Sequence, residues 1–199
     1  PDVKGVAVPG SLAPMPWSKI PSAQVLLALS DLDGSPLYLS PRQVLRGAMQ
    51  PLLDLGLTPV TATELEFYLI EHDGYEFVPR TARIPGSDLP QQGIQFAIME
   101  DLVEVDDFLA DLDAFCRAQN IPAGAALSEF APGQFEVNLQ HVADPVLACD
   151  HAVLFKRAVK AAAHRNDLAA TFMAKPFPGI SGSGLHIHVS LLDGAGGNV

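Results

Sequence analysis

The sequence predicts an α+β fold in which helices pack on the outer face of an antiparallel sheet. Three segments, near residues 64–69, 134–140 and 185–190, alternate apolar and polar residues with the period of two that is typical of strands. Longer segments carry apolar residues at the helical spacing of three to four. Hydrophobic residues make up 48% of the 199-residue chain and charged residues 18%, which indicates a globular protein.

The first 39 residues are interpreted as the end of one domain with a linker hairpin, and residues 40–199 as the beginning of a second domain. Residues 1–22 are rich in Pro and Gly and have little periodicity, so we expect irregular structure. The apolar run 23–29 is typical of a strand. The Asp-Gly turn at 31–34 predicts a hairpin that returns through residues 37–38.

Ser40-Pro41 predicts a helix start, because Ser caps helices and Pro favours the first helical position. Gly56 predicts the end of that helix, and Asp144-Pro145 the start of another. Pro132-Gly133 predicts a break between two strands. The elements predicted after residue 57 are strands 58–71 and 75–78, helix 101–119, strands 123–130 and 134–140, helix 144–165, and strands 168–173 and 183–192.

The chain is strongly acidic, with 12 Lys and Arg against 23 Asp and Glu and a formal net charge of −11. Such a surface repels nucleic acid and anionic membranes, so we expect neither as a partner. No apolar run approaches transmembrane length, and the first residues do not resemble a signal peptide. Cys116 and Cys149 fit neither a metal spacing nor a disulfide framework, so we expect a reducing, cytoplasmic setting.

The alternation predicts that each of the three strands has one apolar face, which would lie against a core, and one polar face without Lys or Arg. The apolar residues are Leu65, Phe67 and Leu69 in the first strand, Phe135, Val137 and Leu139 in the second, and Leu185, Ile187 and Val189 in the third. A sheet with its other face in water would explain the alternation. However, Glu64 and Glu66 would lie about 7 Å apart on one face, where carboxylates repel unless a cation lies between them.

The polar faces predict a site for divalent cations if they converge. Glu129 and Glu136 are separated by an odd number of positions, so a continuous strand would send them to opposite faces. The break at Pro132-Gly133 can reset the register and bring both to one side. Carboxylates with one imidazole suit Mg²⁺ or Mn²⁺. The candidate ligands are Glu64, Glu66, Glu129, Glu136 and His186.

These segments resemble the glutamine synthetase family. The run TELEFY at 63–68 resembles the first metal-binding strand of that family, and EFAPGQFEVN at 129–138 resembles the second. Lys175-Pro176-Phe177 and the stretch 182–190 are similar to its ATP-region signature. The motifs occur in the family's order and the match extends over most of residues 20–193.

The resemblance implies an incomplete glutamine-synthetase-like catalytic domain, in residues 40–199, whose curved antiparallel sheet forms a site for two Mg²⁺ or Mn²⁺ ions. The residues implied are Glu66, Glu129 and Glu136 for one ion, Glu64 and His186 for the second, His188 and Ser190 for ATP, and Ser181 and Gly182 for glutamate.

The resemblance also implies an ATP-dependent carbon–nitrogen ligase that joins the glutamate side-chain carboxylate to an amine through γ-glutamyl phosphate. Two metal ions would supply the positive charge that an acidic protein lacks when both reactants are anions. Ser181, where the family commonly has Asn, and the short spacing between Glu129 and Glu136 resemble the glutamate–putrescine ligase branch. We therefore favour putrescine or a similar amine over the ammonia that glutamine synthetase proper uses.

We expect the chain to be part of a longer protein and inactive alone, because the family's remaining ligands would follow residue 199. Family members form double-ring dodecamers, which implies a homo-oligomer for the whole protein. Two other function classes stay open. A metal-dependent hydrolase could use the same cluster without a nucleotide, and a non-catalytic relative would be expected to lose the ligands.

Overall fold

The computed structural model describes residues 2–91 and 96–199, so the predicted elements are compared over these ranges. The chain divides into two compact units. One comprises the segment ending at Ala62 together with His141–Asp150 and His188–Val199, and the other comprises Thr63–Gln140 and His151–Ile187. No helix of the described ranges is both long enough and apolar enough to cross a bilayer.

The elements of the described residues are numbered in chain order. The helices are Pro41–Asp54 (α1), Met99–Val103 (α2), Asp106–Ala118 (α3) and Pro145–Arg165 (α4). The strands are Lys4–Ala7 (β1), Ala13–Pro14 (β2), Ala23–Gln24 (β3), Leu27–Ser30 (β4), Thr58–Asp73 (β5), Glu76–Pro79 (β6), Ala123–Ser128 (β7), Gln134–Leu139 (β8), Ala169–Thr171 (β9) and Leu185–Leu192 (β10).

The main sheet has six strands and is organised around β5, which is 16 residues long. Its strand order is β10-β5-β8-β7, and β6 and β9 also pair with β5. The pairs of β5 with β6, β8 and β9 are antiparallel, as is the pair of β7 with β8. The predicted antiparallel α+β architecture is confirmed.

The apolar face of this sheet packs against helices in the unit Thr63–Gln140 and His151–Ile187. Phe67 is fully buried, and its ring lies 6.1 Å from that of Phe108 in α3, 5.4 Å from Phe172 and 6.3 Å from Phe135 in β8. Burial of this aromatic group is a large part of the free energy that holds helix and sheet together. The apolar faces predicted for β5 and β8 are confirmed, because the residues that form them are all buried: Leu65, Phe67, Leu69, Phe135, Val137 and Leu139.

The prediction that the apolar face of the last strand lies in a core is wrong. Leu185, Ile187 and Val189 are 53%, 59% and 63% exposed. β10 lies at the end of the strand order, so it has one neighbouring strand in that path. The period of two shows which side chains share a face, but it does not show whether another layer covers that face.

The predicted helix over residues 101–119 is interrupted. α2 ends at Val103 and α3 begins at Asp106, because Val105 has the non-helical angles φ −126° and ψ 26°. Val105 is buried, so the interruption does not disturb the apolar periodicity that predicted a single helix. Asp106 and Asp107 then begin α3, where acidic side chains are favourable at a helix N-terminus.

The N-terminal region contains more strands than the sequence predicts. The predicted single strand over 23–29 is two short strands, with β3 paired to β2 and β4 paired to β1. The partners lie within residues 1–22, which were expected to be irregular. Short strands rich in Pro and Gly lack clear alternation, so pairing with a partner determines them more than local pattern does.

The helix predicted from Ser40 to Gly56 is confirmed as α1, and Gly56 has a positive φ of 73° just beyond it. None of its residues is buried, so the apolar stripe that predicted it is not part of a core in the described ranges. Arg42 forms an ion pair with Asp150 at the beginning of α4 in the same unit. Both side chains are largely shielded from solvent, so loss of either partner would leave an unpaired charge there.

Replacing Phe67 with Ala removes the ring at the centre of the aromatic group. We expect the free energy of unfolding to fall by about 3–5 kcal/mol, because the surrounding rings cannot close the cavity completely. Urea unfolding followed by circular dichroism measures the change. Tyr75→Ala, at a fully exposed position of the β5–β6 turn, is the control and should change stability by less than about 0.5 kcal/mol. Equal effects of the two substitutions would contradict this account of the core.

Candidate metal centre

The register between β5 and β8 places two glutamates directly opposite each other. Glu66 pairs with Glu136, and the flanking pairs on the same face are Glu64 with Asn138 and Tyr68 with Gln134. Directly opposite side chains lie about 5 Å apart at Cβ, and like charges in that position are destabilising. The polar face therefore carries an electrostatic cost that is inherent in its strand pairing.

The turn between β7 and β8 brings Glu129 to the same region. The Glu129 amide donates to the Gln134 carbonyl at 2.8 Å, and the Gln134 amide donates to the Ala131 carbonyl at 3.0 Å. Gly133 has a φ of 73°, and a Cβ there would lie 2.6 Å from the Arg80 carbonyl oxygen. Only glycine fits this conformation and space. The break predicted at Pro132-Gly133 is therefore a tight, closed turn.

The five candidate ligands form two overlapping groups. In each group, one ligand atom per residue lies within 4.8 Å of the others. The first group is Glu66, Glu129 and Glu136, and the second is Glu64, Glu136 and His186. The first has the same members that the family resemblance implies for one ion. Glu136 belongs to both groups, which the sequence did not indicate, because it follows from the strand register.

The imidazole of His186 faces two of the carboxylates. Its Nδ1 lies 3.0 Å from Glu64 Oε2 and 3.9 Å from Glu136 Oε2. Glu136 is only 7% exposed, whereas His186 is open to solvent. The second group therefore extends from a buried carboxylate to an exposed imidazole.

A hydrogen-bond network orients the Glu66 carboxylate. Its Oε2 accepts hydrogen bonds from Gln134 Nε2 at 2.8 Å and from the Gly184 amide at 2.9 Å. Gln134 Nε2 also donates to the Gly182 carbonyl at 2.9 Å. Gln134 is buried, so its amide has a fixed orientation. Sequence reasoning placed Gln134 on the polar face without a role, and its position in the second motif was the available signal.

Tyr68 supports the same network from the buried end. Its hydroxyl donates to the Ser181 carbonyl, and its ring makes an edge contact with Phe177 at 5.3 Å. Burial raises the pKa of Tyr68 to about 12, and the charge of Glu66 contributes. The hydroxyl therefore stays protonated and acts as a donor at neutral pH.

Burial and mutual repulsion disfavour negative charge in the cluster. Burial raises the pKa of Glu136, and the nearby carboxylates raise it further, in the order Glu64, Glu129 and Glu66. Burial is also the first cause that raises the pKa of Glu129, followed by the charge of Glu66. A bound cation would remove this penalty, because it favours the ionised form of every carboxylate that it contacts.

The predicted substrate and nucleotide residues divide between the two units. Ser181 and Gly182 lie in the unit with the carboxylates, and their carbonyl oxygens accept the hydrogen bonds from Tyr68 and Gln134. His188 and Ser190 lie in the other unit, and neither is a member of the two carboxylate groups. The Ser190 hydroxyl donates to Asn198 Oδ1 at 2.6 Å.

The donor set fits hard divalent cations. It supplies carboxylate oxygens from three strands or turns and one imidazole, without thiolate. The two groups share Glu136, and together they offer ligands for two divalent cations. A pair of such ions can clamp the oxygens of a phosphoryl group on both sides of a bond that forms or breaks.

The chain is similar to known proteins along its whole length. The family profile described as glutamine synthetase, catalytic domain, matches residues 38–199. Gamma-glutamylputrescine synthetase PuuA of Escherichia coli (strain K12) is 41% identical over 203 residues, which cover 100% of this chain and 42% of that protein. Glutamate–isopropylamine ligase of Pseudomonas sp. is 33% identical over 196 residues, which cover 98% of this chain and 42% of that protein.

The fold is similar to a solved structure of GmaS without ligand. The TM-score is 0.84 at 27% identity, over 100% of this chain and 44% of that chain. The chain therefore spans about two fifths of the length of the relatives that it matches.

Replacing Gly184 with Ala should displace the Glu66 carboxylate. A Cβ at residue 184 would lie 2.7 Å from Glu66 Oε1 and 3.1 Å from His186 Nε2. We expect Mn²⁺ affinity to fall by about 10- to 100-fold, because the orientation of a ligand is lost while its charge remains. Electron paramagnetic resonance of free Mn²⁺ measures the affinity.

Gly47→Ala is the matched control for this substitution. A Cβ at residue 47 meets no atom within 4 Å and lies in α1, so Mn²⁺ affinity should be unchanged. If Gly184→Ala binds Mn²⁺ as tightly as the unmodified protein, Glu66 is not a ligand that this glycine positions.

Proposed function

Because the chain belongs to the glutamine synthetase family, we propose that the whole protein is an ATP-dependent ligase that joins the glutamate side-chain carboxylate to an amine. The observation that carries the proposal is the pair of carboxylate groups that share Glu136. A single group would suit one structural cation. Two adjoining groups suit the transfer of a phosphoryl group between anions, for which two cations are an established solution.

The proposed reaction passes through γ-glutamyl phosphate. The glutamate carboxylate attacks the terminal phosphorus of ATP and ADP leaves, after which an amine attacks the acyl carbon and phosphate leaves. Two Mg²⁺ or Mn²⁺ ions, when bound, would neutralise the phosphates and keep attacking and leaving oxygens in line. Glu66, Glu129 and Glu136 would hold one ion, and Glu64, Glu136 and His186 the other.

We also assign roles in the proposed reaction to the remaining site residues. Ser181 and Gly182 would approach glutamate, because their carbonyls are fixed by the same network that orients Glu66. His188 and Ser190 would contact the nucleotide, as the family resemblance implies. Residues 40–199 would be the first portion of the catalytic domain. Assembly of the whole protein as a homo-oligomer, a dodecamer in the family, belongs to the same proposal.

An organic amine such as putrescine is the proposed second substrate. Two sequence features support this choice: Ser181, where the family commonly has Asn, and the short spacing between Glu129 and Glu136. The names of two relatives, which specify putrescine and isopropylamine, also support it. Ammonia, the substrate of glutamine synthetase proper, is the alternative.

Glu136→Gln should abolish ligation while it preserves the fold. We expect phosphate release with ATP, glutamate and an amine to fall by more than about 100-fold, because one neutral amide would replace a carboxylate of both groups. Glu76→Gln, at an exposed position of β6, is the control and should retain activity. Activity of Glu136→Gln near that of the control would remove Glu136 from the site.

The same variant has a second readout in the metal-free protein. The raised pKa of Glu136 means that its charged form is disfavoured in the folded state, so ionisation lowers stability as the pH rises above the ordinary value of 4.5. Glu136→Gln removes that cost and should unfold at a higher temperature at pH 7 in the presence of chelator. The difference should disappear below pH 4.5, where Glu136 is protonated in both states.

The choice of amine can be measured on the whole protein with ATP, glutamate and Mg²⁺. We expect kcat/KM for putrescine or another primary organic amine to exceed that for ammonium by at least about tenfold, a difference of 1.4 kcal/mol in transition-state binding. A higher value for ammonium would make the protein a glutamine synthetase proper. Hydrolysis that proceeds without ATP would instead favour a metal-dependent hydrolase.

A further inference from the structure

The segment that joins β9 to β10 contains a loop, residues 174–183, whose two ends are in contact. The Ser183 amide donates to the Ala174 carbonyl at 2.9 Å, which closes the loop at its base. A Cβ at Gly182 would lie 2.5 Å from the same carbonyl oxygen, so only glycine fits there. Gly179 has a φ of 84°, which is typical of a tight turn. We call this segment the substrate loop, because it contains both residues that are proposed to bind glutamate.

Three successive carbonyl groups of the substrate loop each accept a hydrogen bond from a side chain. The pairs, with the donor first, are Lys175 Nζ with Ile180, the Tyr68 hydroxyl with Ser181, and Gln134 Nε2 with Gly182. Tyr68 and Gln134 are buried in β5 and β8, whereas Lys175 is exposed and belongs to the loop itself. Lys175 is therefore the donor whose removal would disturb the loop without opening the core or changing the network around Glu66.

A hydrogen bond to a carbonyl also fixes the direction of the amide that follows it. The peptide group is planar and trans, so the N–H of one residue points in the opposite direction to the preceding C=O. Lys175 thus fixes the peptide plane between Ile180 and Ser181, and with it the direction of the Ser181 amide. Tyr68 fixes the next plane and the Gly182 amide in the same way. Neighbouring amides of fixed direction can bind an anion such as a carboxylate.

Phe177 anchors the same loop by packing. Its ring makes an edge contact with the buried ring of Tyr68 at a centroid distance of 5.3 Å. Pro176, between Lys175 and Phe177, restricts the backbone that joins the two contacts. The Lys175-Pro176-Phe177 motif therefore supplies one hydrogen-bond donor and one apolar anchor, and both act on the conformation of the substrate loop.

We propose that Lys175 is a positioning residue for glutamate, which holds the Ile180–Ser181 peptide group in the orientation that the substrate requires. The inference rests on the proposed ligase function and deepens it, because it adds a residue that acts through the glutamate end of the same site. Lys175 itself does not touch the substrate. Its hydrogen bond raises the fraction of molecules whose substrate loop is competent to bind, and the apparent dissociation constant for glutamate falls by the same factor.

The exposure of Lys175 determines the kind of effect to expect. Water competes for an exposed hydrogen bond, so this bond adds little to global stability. Its effect is confined to one peptide group, and bound glutamate can restore the orientation of that group through its own contacts. Loss of Lys175 should therefore weaken glutamate binding and leave turnover at saturating glutamate nearly unchanged.

The test compares Lys175→Met with the unmodified whole protein. Methionine keeps an apolar stem but has no N–H to donate. Phosphate release with ATP, Mg²⁺ and a saturating amine at varied glutamate gives kcat and KM. We expect the KM for glutamate to rise by about five- to tenfold, the factor that one such hydrogen bond contributes, whereas kcat and the KM for ATP should change by less than about twofold. The melting temperature should change by less than about 2 °C.

Two further variants and one change of salt separate the hydrogen bond from other effects. Lys175→Arg keeps N–H donors and should restore most of the affinity for glutamate. Lys160→Met removes another exposed lysine, in α4, and should leave every constant unchanged. KCl at about 0.5 M screens the attraction between exposed charges. The ratio of the KM values of Lys175→Met and the unmodified protein should persist in KCl, because a hydrogen bond to a carbonyl does not depend on the charge of the substrate.

Hydrogen exchange tests the loop without any reaction. In the absence of substrates, the peptide that contains residues 176–184 should take up deuterium faster in Lys175→Met than in Lys160→Met. The reason is that the Ser183 amide, which closes the loop, loses protection when the loop opens more often. Equal uptake in the two variants would show that Lys175 does not hold the substrate loop.

The outcomes separate this inference from the ligase proposal. An unchanged KM for glutamate in Lys175→Met would overturn the positioning role. A KM ratio that disappears in KCl would also overturn it, because the lysine would then attract the substrate by its charge. If the unmodified protein releases no phosphate that depends on ATP, glutamate and an amine, the ligase proposal falls and the role in glutamate binding falls with it. Hydrogen exchange would still show whether Lys175 holds the loop.

Discussion

The pairing of Glu66 with Glu136 across neighbouring strands is the constraint on which the rest of the structure depends. Two carboxylates in this position repel each other, and burial raises the pKa of Glu136. The opposite face of the same strands offsets the repulsion, because Phe67 and its aromatic neighbours form the centre of the core. Each strand thus supplies stability on one side and candidate cation ligands on the other.

The hydrogen bonds around Glu66 define the orientation of its carboxylate. Gln134 and the Gly184 amide both donate to Oε2, so two protein donors hold this carboxylate in place. Gln134 in turn is positioned by the tight turn at Gly133, and Tyr68 fixes the segment that contains Ser181. Preorganisation of this kind lowers the entropy cost of binding, and it places the supporting residues in the same motifs as the ligands.

Local patterns predicted the two-faced strands, α1, α4 and the five candidate ligands, because alternation, caps and breakers act within a few residues. They failed where the answer depended on partners distant in sequence. Whether the apolar face of β10 is buried depends on whether another layer covers it. The pairing of β1 with β4 requires residues distant in sequence to lie side by side. The sharing of Glu136 between two groups depends on a strand register that no single strand encodes. Val105 shows a further limit, because a buried residue can end a helix without breaking its apolar period.

A fold of this kind does not by itself determine which amine is used, since the same scaffold can host different substrates. The carboxylates are required for any amine in the proposed reaction, so they cannot provide that discrimination. It must come from groups that contact the amine beyond its nitrogen.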